Sequence, residues 1–129
     1  MSKPFDLKNL ITGRVEPRIY AFTTNTIPNY LKVGDTYRPV EVRLNEWREH
    51  YKNLKKQFEG TAKINDEVFF RDYSVHQFLE NDLQKERLSS NEIDDGVYYS
   101  NEFFKETSSK DVQTAISNIG NQIDRFKTE

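Results

Sequence analysis

Asp72 and His76 stand one helical turn apart, a carboxylate and an imidazole placed by type and spacing to do chemistry. They fall in a stretch whose apolar residues predict a helix from about Phe69 to Leu83. On a wheel of about 100° per residue, Val75, His76, Leu79 and Leu83 all lie within about 60° of Asp72. Both ionisable groups therefore share the apolar stripe. Burying a charge costs several kcal/mol unless it is paired or binds a metal. The pair is either a satisfied Asp–His hydrogen bond in the core, a helix start that frays before Asp72, or part of a site.

Lys32 is the second anomaly. RIYAFTT (18–24) and YLKVGDT (30–36) each alternate with a period of two. The intervening NTIPN holds the turn formers Asn25, Pro28 and Asn29, so the two runs predict an antiparallel hairpin with a five-residue connection. Ile19, Ala21 and Thr23 share one face, expected to be the packed one, and Tyr20 sits opposite it. In the second strand Leu31 and Val33 alternate with Tyr30, Lys32 and Gly34. A lysine in mid-strand beside a glycine needs a reason, and Tyr20 and Lys32 are expected as cross-strand neighbours on one face.

After the hairpin a helix opens near Pro39. Val40, Leu44, Trp47, Tyr51 and Leu54 recur at i, i+4, i+7, i+11 and i+14, one stripe of an amphipathic helix. Arg43 lies about 60° from the centre of that stripe. An arginine there either snorkels to solvent without a partner or runs its stem over the sheet and presents its guanidinium at the rim.

These residues carry a resemblance. RIY in the first strand and KVG in the second resemble the paired tripeptides that name the GIY-YIG nucleases. Lys32, Val33, Gly34 and Thr36 are similar to the K-I-G-x-T of a phage and restriction-associated branch. Arg43 stands nine residues after Gly34, where that family places its catalytic arginine early in the following helix. Asp72 and His76 resemble the branch's E-x-x-x-H, and Glu102, Phe103 and Phe104 resemble its closing E-W-F. Arg18 for Gly, Asp72 for Glu and Phe103 for Trp depart from the pattern.

The resemblance implies a divalent-metal-dependent DNA endonuclease. Tyr20, Lys32, Arg43, His76 and Glu102 would then be catalytic, and Asp72 would hold Mg2+ (or Mn2+). The general base is either Tyr20 or Lys32, and a lysine serves only if its surroundings depress its pKa. Arg43 suits phosphate because its fork of donors matches two oxygens and its charge cannot be lost. Asp72 is one methylene shorter than the family's Glu, which bears on its reach. Family members often sit beside helicase or DNA-binding modules, and 129 residues leave no room for one, so membership of a larger multidomain protein is one expectation.

The expected fold is a compact α/β domain, a small three-stranded, mainly antiparallel sheet flanked by helices. An N-terminal arm (1–17) with Phe5, Leu7, Leu10 and Ile11 leads into the nuclease-like domain (18–129). Phe58, Ala62 and Ile64 suggest the third strand, broken by Gly60. Residues 84–101 read as loop, with SSNEIDDG its strongest turn cluster. The acids Glu92, Asp94 and Asp95 within it lack the ligand order of an EF-hand. Ser108 with Asp111 resembles a helix capping pair, and Val112, Ala115, Ile116, Ile119, Ile123 and Phe126 continue as an amphipathic stripe.

Composition bounds the alternatives. The chain is only 35% hydrophobic and 31% charged, so its core must be small and lean on nine Phe and seven Tyr. It has no cysteine, which excludes a disulfide framework or thiolate metal site and fits a reducing, cytoplasmic setting. Its apolar runs are too short for a membrane span or signal peptide. A net charge of −2 excludes a globally basic nucleic-acid binder, yet residues 32–63 carry +3 and residues 64–111 carry −7. That polarity keeps two other readings open: a catalytically inactive DNA-binding module, and a protein-interaction domain of a larger defence or phage system.

Overall fold

The computed structural model describes residues 16–64 and 69–128, with side chains described as far as 121. Most of the expected arm lies outside the described residues, as do the side chains of Ile123 and Phe126 of the last stripe. The elements are β1 (Arg18–Thr24), β2 (Ile27–Thr36), α1 (Val40–Trp47), β3 (Lys55–Thr61), α2 (Asp72–Asn81), β4 (Phe103–Lys105) and α3 (Ser109–Thr128). The strands form one sheet in the order β3-β1-β2-β4, every pair antiparallel. The α/β class and the flanking helices are as expected, and the sheet has a fourth strand beyond the three that periodicity reveals. β4 is only three residues long and pairs Tyr30–Lys32 with Lys105–Phe103.

The hairpin turn is shorter than the composition suggests. Asn25 and Thr26 alone make it, because Ile27 is buried and pairs with Thr24, drawing Pro28 and Asn29 into β2. Asn29 takes a positive φ of 72°, which asparagine tolerates better than most residues.

Both faces of the sheet are packed, which corrects the expectation that Tyr20 faces away from the core. Ile19, Ala21, Leu31 and Val33 bury one face under α2 and α3, against Val75, Leu79, Val112 and Ala115. Tyr20 and Phe22 bury the other under α1 and the turns that follow it, against Val40, Leu44, Trp47 and Tyr51. The paired phenylalanines of β4 serve both layers, Phe103 joining the α1 side and Phe104 the α2 side.

Helix boundaries differ from the periodic reading. The regular helix α1 ends at Trp47, yet Tyr51 and Leu54 stay buried because tight turns carry the stripe onward, with Tyr51 N–H donating to Trp47 O at 2.8 Å. α2 starts at Asp72 rather than Phe69, so Asp72 is its first residue and lies at the end of the apolar stripe. Phe69 and Phe70 pack in the core ahead of it. Asp111 accepts from the Ser108 backbone N–H at 2.9 Å, the capping contact expected at the start of α3. Among the described residues, no helix is long and apolar enough to cross a membrane.

Candidate functional site

β2 presents Lys32 towards α1, where a lysine would ordinarily be excluded. Its side chain is 0% exposed. Nζ donates to Glu102 Oε1 at 2.7 Å and lies 4.0 Å above the Trp47 ring, 5.4 Å from that of Tyr20. One carboxylate and a floor of aromatic faces thus replace the lost water. Burial pushes the Lys32 pKa down, Glu102 pulls it back, and the charge of Arg43 lowers it further.

Register explains the glycine beside it. Gly34 is directly opposite Tyr20, and Lys32 is opposite Phe22, so Tyr20 and Lys32 are diagonal neighbours on one face rather than a facing pair. The phenol of Tyr20 lies across the space a side chain at 34 would need: a Cβ there would fall 2.6 Å from Tyr20 Oη and 3.1 Å from Lys32 Nζ. Tyr20 Oη accepts from Trp47 Nε1 at 2.7 Å. Burial pushes the Tyr20 pKa up to about 12, with the Trp47 bond and the Arg43 charge opposing it.

Arg43 reaches the same place from α1. Its guanidinium lies 4.7 Å above the Trp47 ring, the ring that also carries Lys32. Its Nη1 donates to Glu46 Oε1 at 2.8 Å. The half-buried side chain follows the rim placement, not the solvent-snorkelling one, and it has a partner.

The third contribution comes from the sheet edge. β4 covers β2 only as far as Lys32, and Val33 N–H then donates to Glu102 O at 3.0 Å. Beyond that point α2 approaches β2. His76 Nε2 donates to Val33 O at 2.7 Å, which leaves the lone pair of a neutral ring on Nδ1. Burial lowers the His76 pKa and favours that neutral ring. Asp35 holds the first turn of α2: its Oδ2 accepts from Asp72 N–H at 2.9 Å and from Arg71 Nε at 2.6 Å.

One donor atom from each of Asp72, His76 and Glu102 lies within 4.8 Å of the others. Burial pushes the Asp72 pKa up to about 7, with the carboxylates of Asp35 and Glu102 adding to it and Lys32 and Arg71 opposing. Two carboxylates and an imidazole around one point make a donor set that fits a divalent cation.

All six sequence-derived residues therefore meet: Tyr20, Lys32 and Arg43 around Trp47, and Asp72, His76 and Glu102 around the end of β4. Glu102 joins the halves. Glu92, Asp94 and Asp95 stay exposed and outside this group. Sequence reasoning missed Asp35, Trp47 as the ring beneath both cations, and Glu46. Parity along β2 could have found Asp35, since it shares the Leu31 and Val33 face on which α2 packs.

The model of the T5orf172 domain family matches residues 18–120, a span that contains every one of these residues. The chain belongs to that family, a phage-associated domain found in endonuclease contexts. No curated protein and no solved structure matches it.

Proposed function

From membership of the T5orf172 family and the chemistry of this site, we propose that the protein is a divalent-metal-dependent DNA endonuclease of GIY-YIG type. The observation that carries the reading is the meeting of a buried lysine, an arginine and an Asp–His–Glu group contributed by three separate elements and one loop. Asp72 would hold Mg2+ or Mn2+ with Glu102 and His76 beside it, and the ion would stabilise negative charge at the scissile phosphate.

The chain's own residues divide the remaining work. Lys32 is the better base, because burial keeps the Tyr20 phenol protonated and depresses Lys32. A neutral Lys32 takes the proton of the attacking water, and Glu102 holds the ammonium that forms. Tyr20 Oη accepts from Trp47, which leaves its own O–H as a donor to orient water or phosphate. Arg43 offers two parallel donors to phosphorane oxygens, where charge grows most in the transition state. DNA is the partner, and the absence of cysteine keeps a cytoplasmic setting within the proposal.

The Lys32–Glu102 pair at 2.7 Å favours a second reading, since an ion pair holds the lysine protonated and a chain that never escapes it binds DNA without cutting. Nicking of supercoiled plasmid separates the two. Wild type is expected to nick with Mg2+ or Mn2+ and to stop on chelation, while Lys32→Ala is inert. Salt-dependent DNA binding without nicking by wild type under any divalent ion would make the inactive module correct.

A further inference from the structure

Glu46 binds two arginines at once. Its carboxylate takes both Nη atoms of Arg38, at 2.7 and 2.8 Å, and also Nη1 of Arg43 at 2.8 Å. Two oxygens thus receive three charge-assisted bonds from two guanidinium groups, the pattern by which arginine recognises the two non-bridging oxygens of a phosphodiester. Arg38 belongs to the β2–α1 connection, and its backbone is fixed there by Thr36 Oγ1, which accepts from Arg38 N–H at 3.0 Å. Its side chain is 54% exposed, so it meets solvent where Arg43 meets the site. The two arginines hold Glu46 near the carboxylate limit, with its pKa lowered to about 2.

We propose that Arg38 is a second phosphate-contacting residue and that Glu46 is an internal substitute for phosphate, which DNA displaces from both arginines on binding. The inference rests on the endonuclease reading of the same site. Arg43 serves the scissile phosphate, and Arg38, on the connection before the helix, serves a flanking one. Two features make the substitute displaceable. An exposed ion pair is worth little in water, so releasing it costs little. DNA brings several phosphates at once, and each guanidinium that takes one also releases condensed counterions, a gain the internal carboxylate cannot match. Glu46 meanwhile keeps both side chains ordered in the free protein and lowers the positive potential offered to unrelated anions. Substrate binding is thereby coupled to freeing Arg43.

The test is binding of a short DNA duplex in EDTA, where turnover is stopped, across a salt series, with plasmid nicking measured in parallel in Mg2+. Arg38→Ala is expected to weaken binding, to reduce the magnitude of the salt slope by about one unit, and to raise KM with kcat near wild type. Glu46→Gln is expected to tighten binding by a factor of about 2 to 5. In the Arg38→Ala background the gain from Glu46→Gln should shrink, because only Arg43 remains to be freed. Both positions are solvent-facing, so both variants should fold, and thermal melts check this. If wild type nicks and binds while Arg38→Ala keeps the wild-type slope, or Glu46→Gln binds no tighter, the inference is overturned and the endonuclease reading stands. If wild type neither binds nor nicks DNA, both fall together.

Discussion

Gly34 and Tyr20 face each other across β1 and β2, and what one lacks the other occupies. A methyl group at 34 would overlap the Tyr20 hydroxyl at 2.6 Å and its ring carbon at 2.8 Å. The ring cannot swing away cheaply, because it is buried and Trp47 holds its oxygen. Gly34→Ala should therefore destabilise the fold by about 1–3 kcal/mol, the usual cost of overpacking a core. Tyr20→Phe in that background should restore only part of the loss, since the ring carbon still clashes. Thermal melts of the three proteins check this, and an unchanged melting temperature for Gly34→Ala would show that the strands separate more easily than their register implies. Arg43 makes the opposite prediction. It is half-exposed over Trp47, so Arg43→Ala should change the melting temperature little while lowering nicking on the order of 100- to 1,000-fold. Arg43→Lys keeps the charge, loses the fork and should not recover the rate. Near wild-type nicking by Arg43→Ala would remove it from the chemistry.

At the scale of elements, the decisive contact is the one that sets where α2 begins. The N-cap position, Arg71, makes no side-chain capping bond, and Asp35 from β2 supplies the acceptor instead. It satisfies the Asp72 N–H and pins Arg71, so the helix starts at the residue whose carboxylate joins the group with His76 and Glu102. Asp35→Asn keeps an acceptor for the Asp72 N–H but loses the charge that pairs with Arg71, so its melting temperature should fall below wild type. It should also lower the Asp72 pKa, since the Asp35 carboxylate is one cause of its rise. If Asp72 works ionised, the acid limb of the nicking profile will move to lower pH in Asp35→Asn. A limb that stays in place would detach Asp35 from Asp72's ionisation. This contact also marks what the sequence concealed. The hairpin, α1, α2 and α3 were legible because their apolar residues repeat with the period of their backbone. The Asp72–His76 pair was legible because it breaks that repeat. Three residues, Phe103 to Lys105, are too few to show a period, so β4 was invisible except through its resemblance to E-W-F. The true start of α2 was hidden because Phe69 and Phe70 are buried without being helical, and the cap that sets it comes from a strand thirty-seven residues earlier.

The whole molecule places its site where the layers on the two faces of the sheet meet, and this makes metal, charge and stability one question. Tyr20, Lys32 and Arg43 belong with the α1 layer and Asp72 and His76 with the α2 layer, joined past the end of β4 by Glu102. Sequence could show which residues share a face. It could not show that both faces are packed, since an aromatic such as Tyr20 or Phe22 suits a covered or an open face equally.

Folding gathers three carboxylates in one partly buried place, and the consequence can be read from pH. Asp72 has a folded pKa of about 7 against 3.8 as its ordinary value. The folded state therefore binds more proton than the unfolded chain between those limits, and stability attributable to Asp72 falls as pH rises through that window. Below it the carboxyl is protonated in both states and contributes no difference; above about pH 7 the full penalty of a buried, crowded carboxylate applies. Asp72→Asn should accordingly raise the melting temperature at pH 8, and the gain should fade towards pH 4. Mg2+ should offset part of the penalty, but only part, because the ion keeps most of its waters and binds few protein oxygens until phosphate completes its shell. Millimolar Mg2+ without DNA should thus shift the wild-type melting temperature slightly at pH 8, less at pH 5, and leave Asp72→Asn unmoved. A large shift without DNA would mean that the site is complete in the free protein. Were that shift seen with Zn2+ and lost in His76→Ala, His76 Nδ1 would be a direct ligand for a softer ion, and the assignment of Mg2+ would give way.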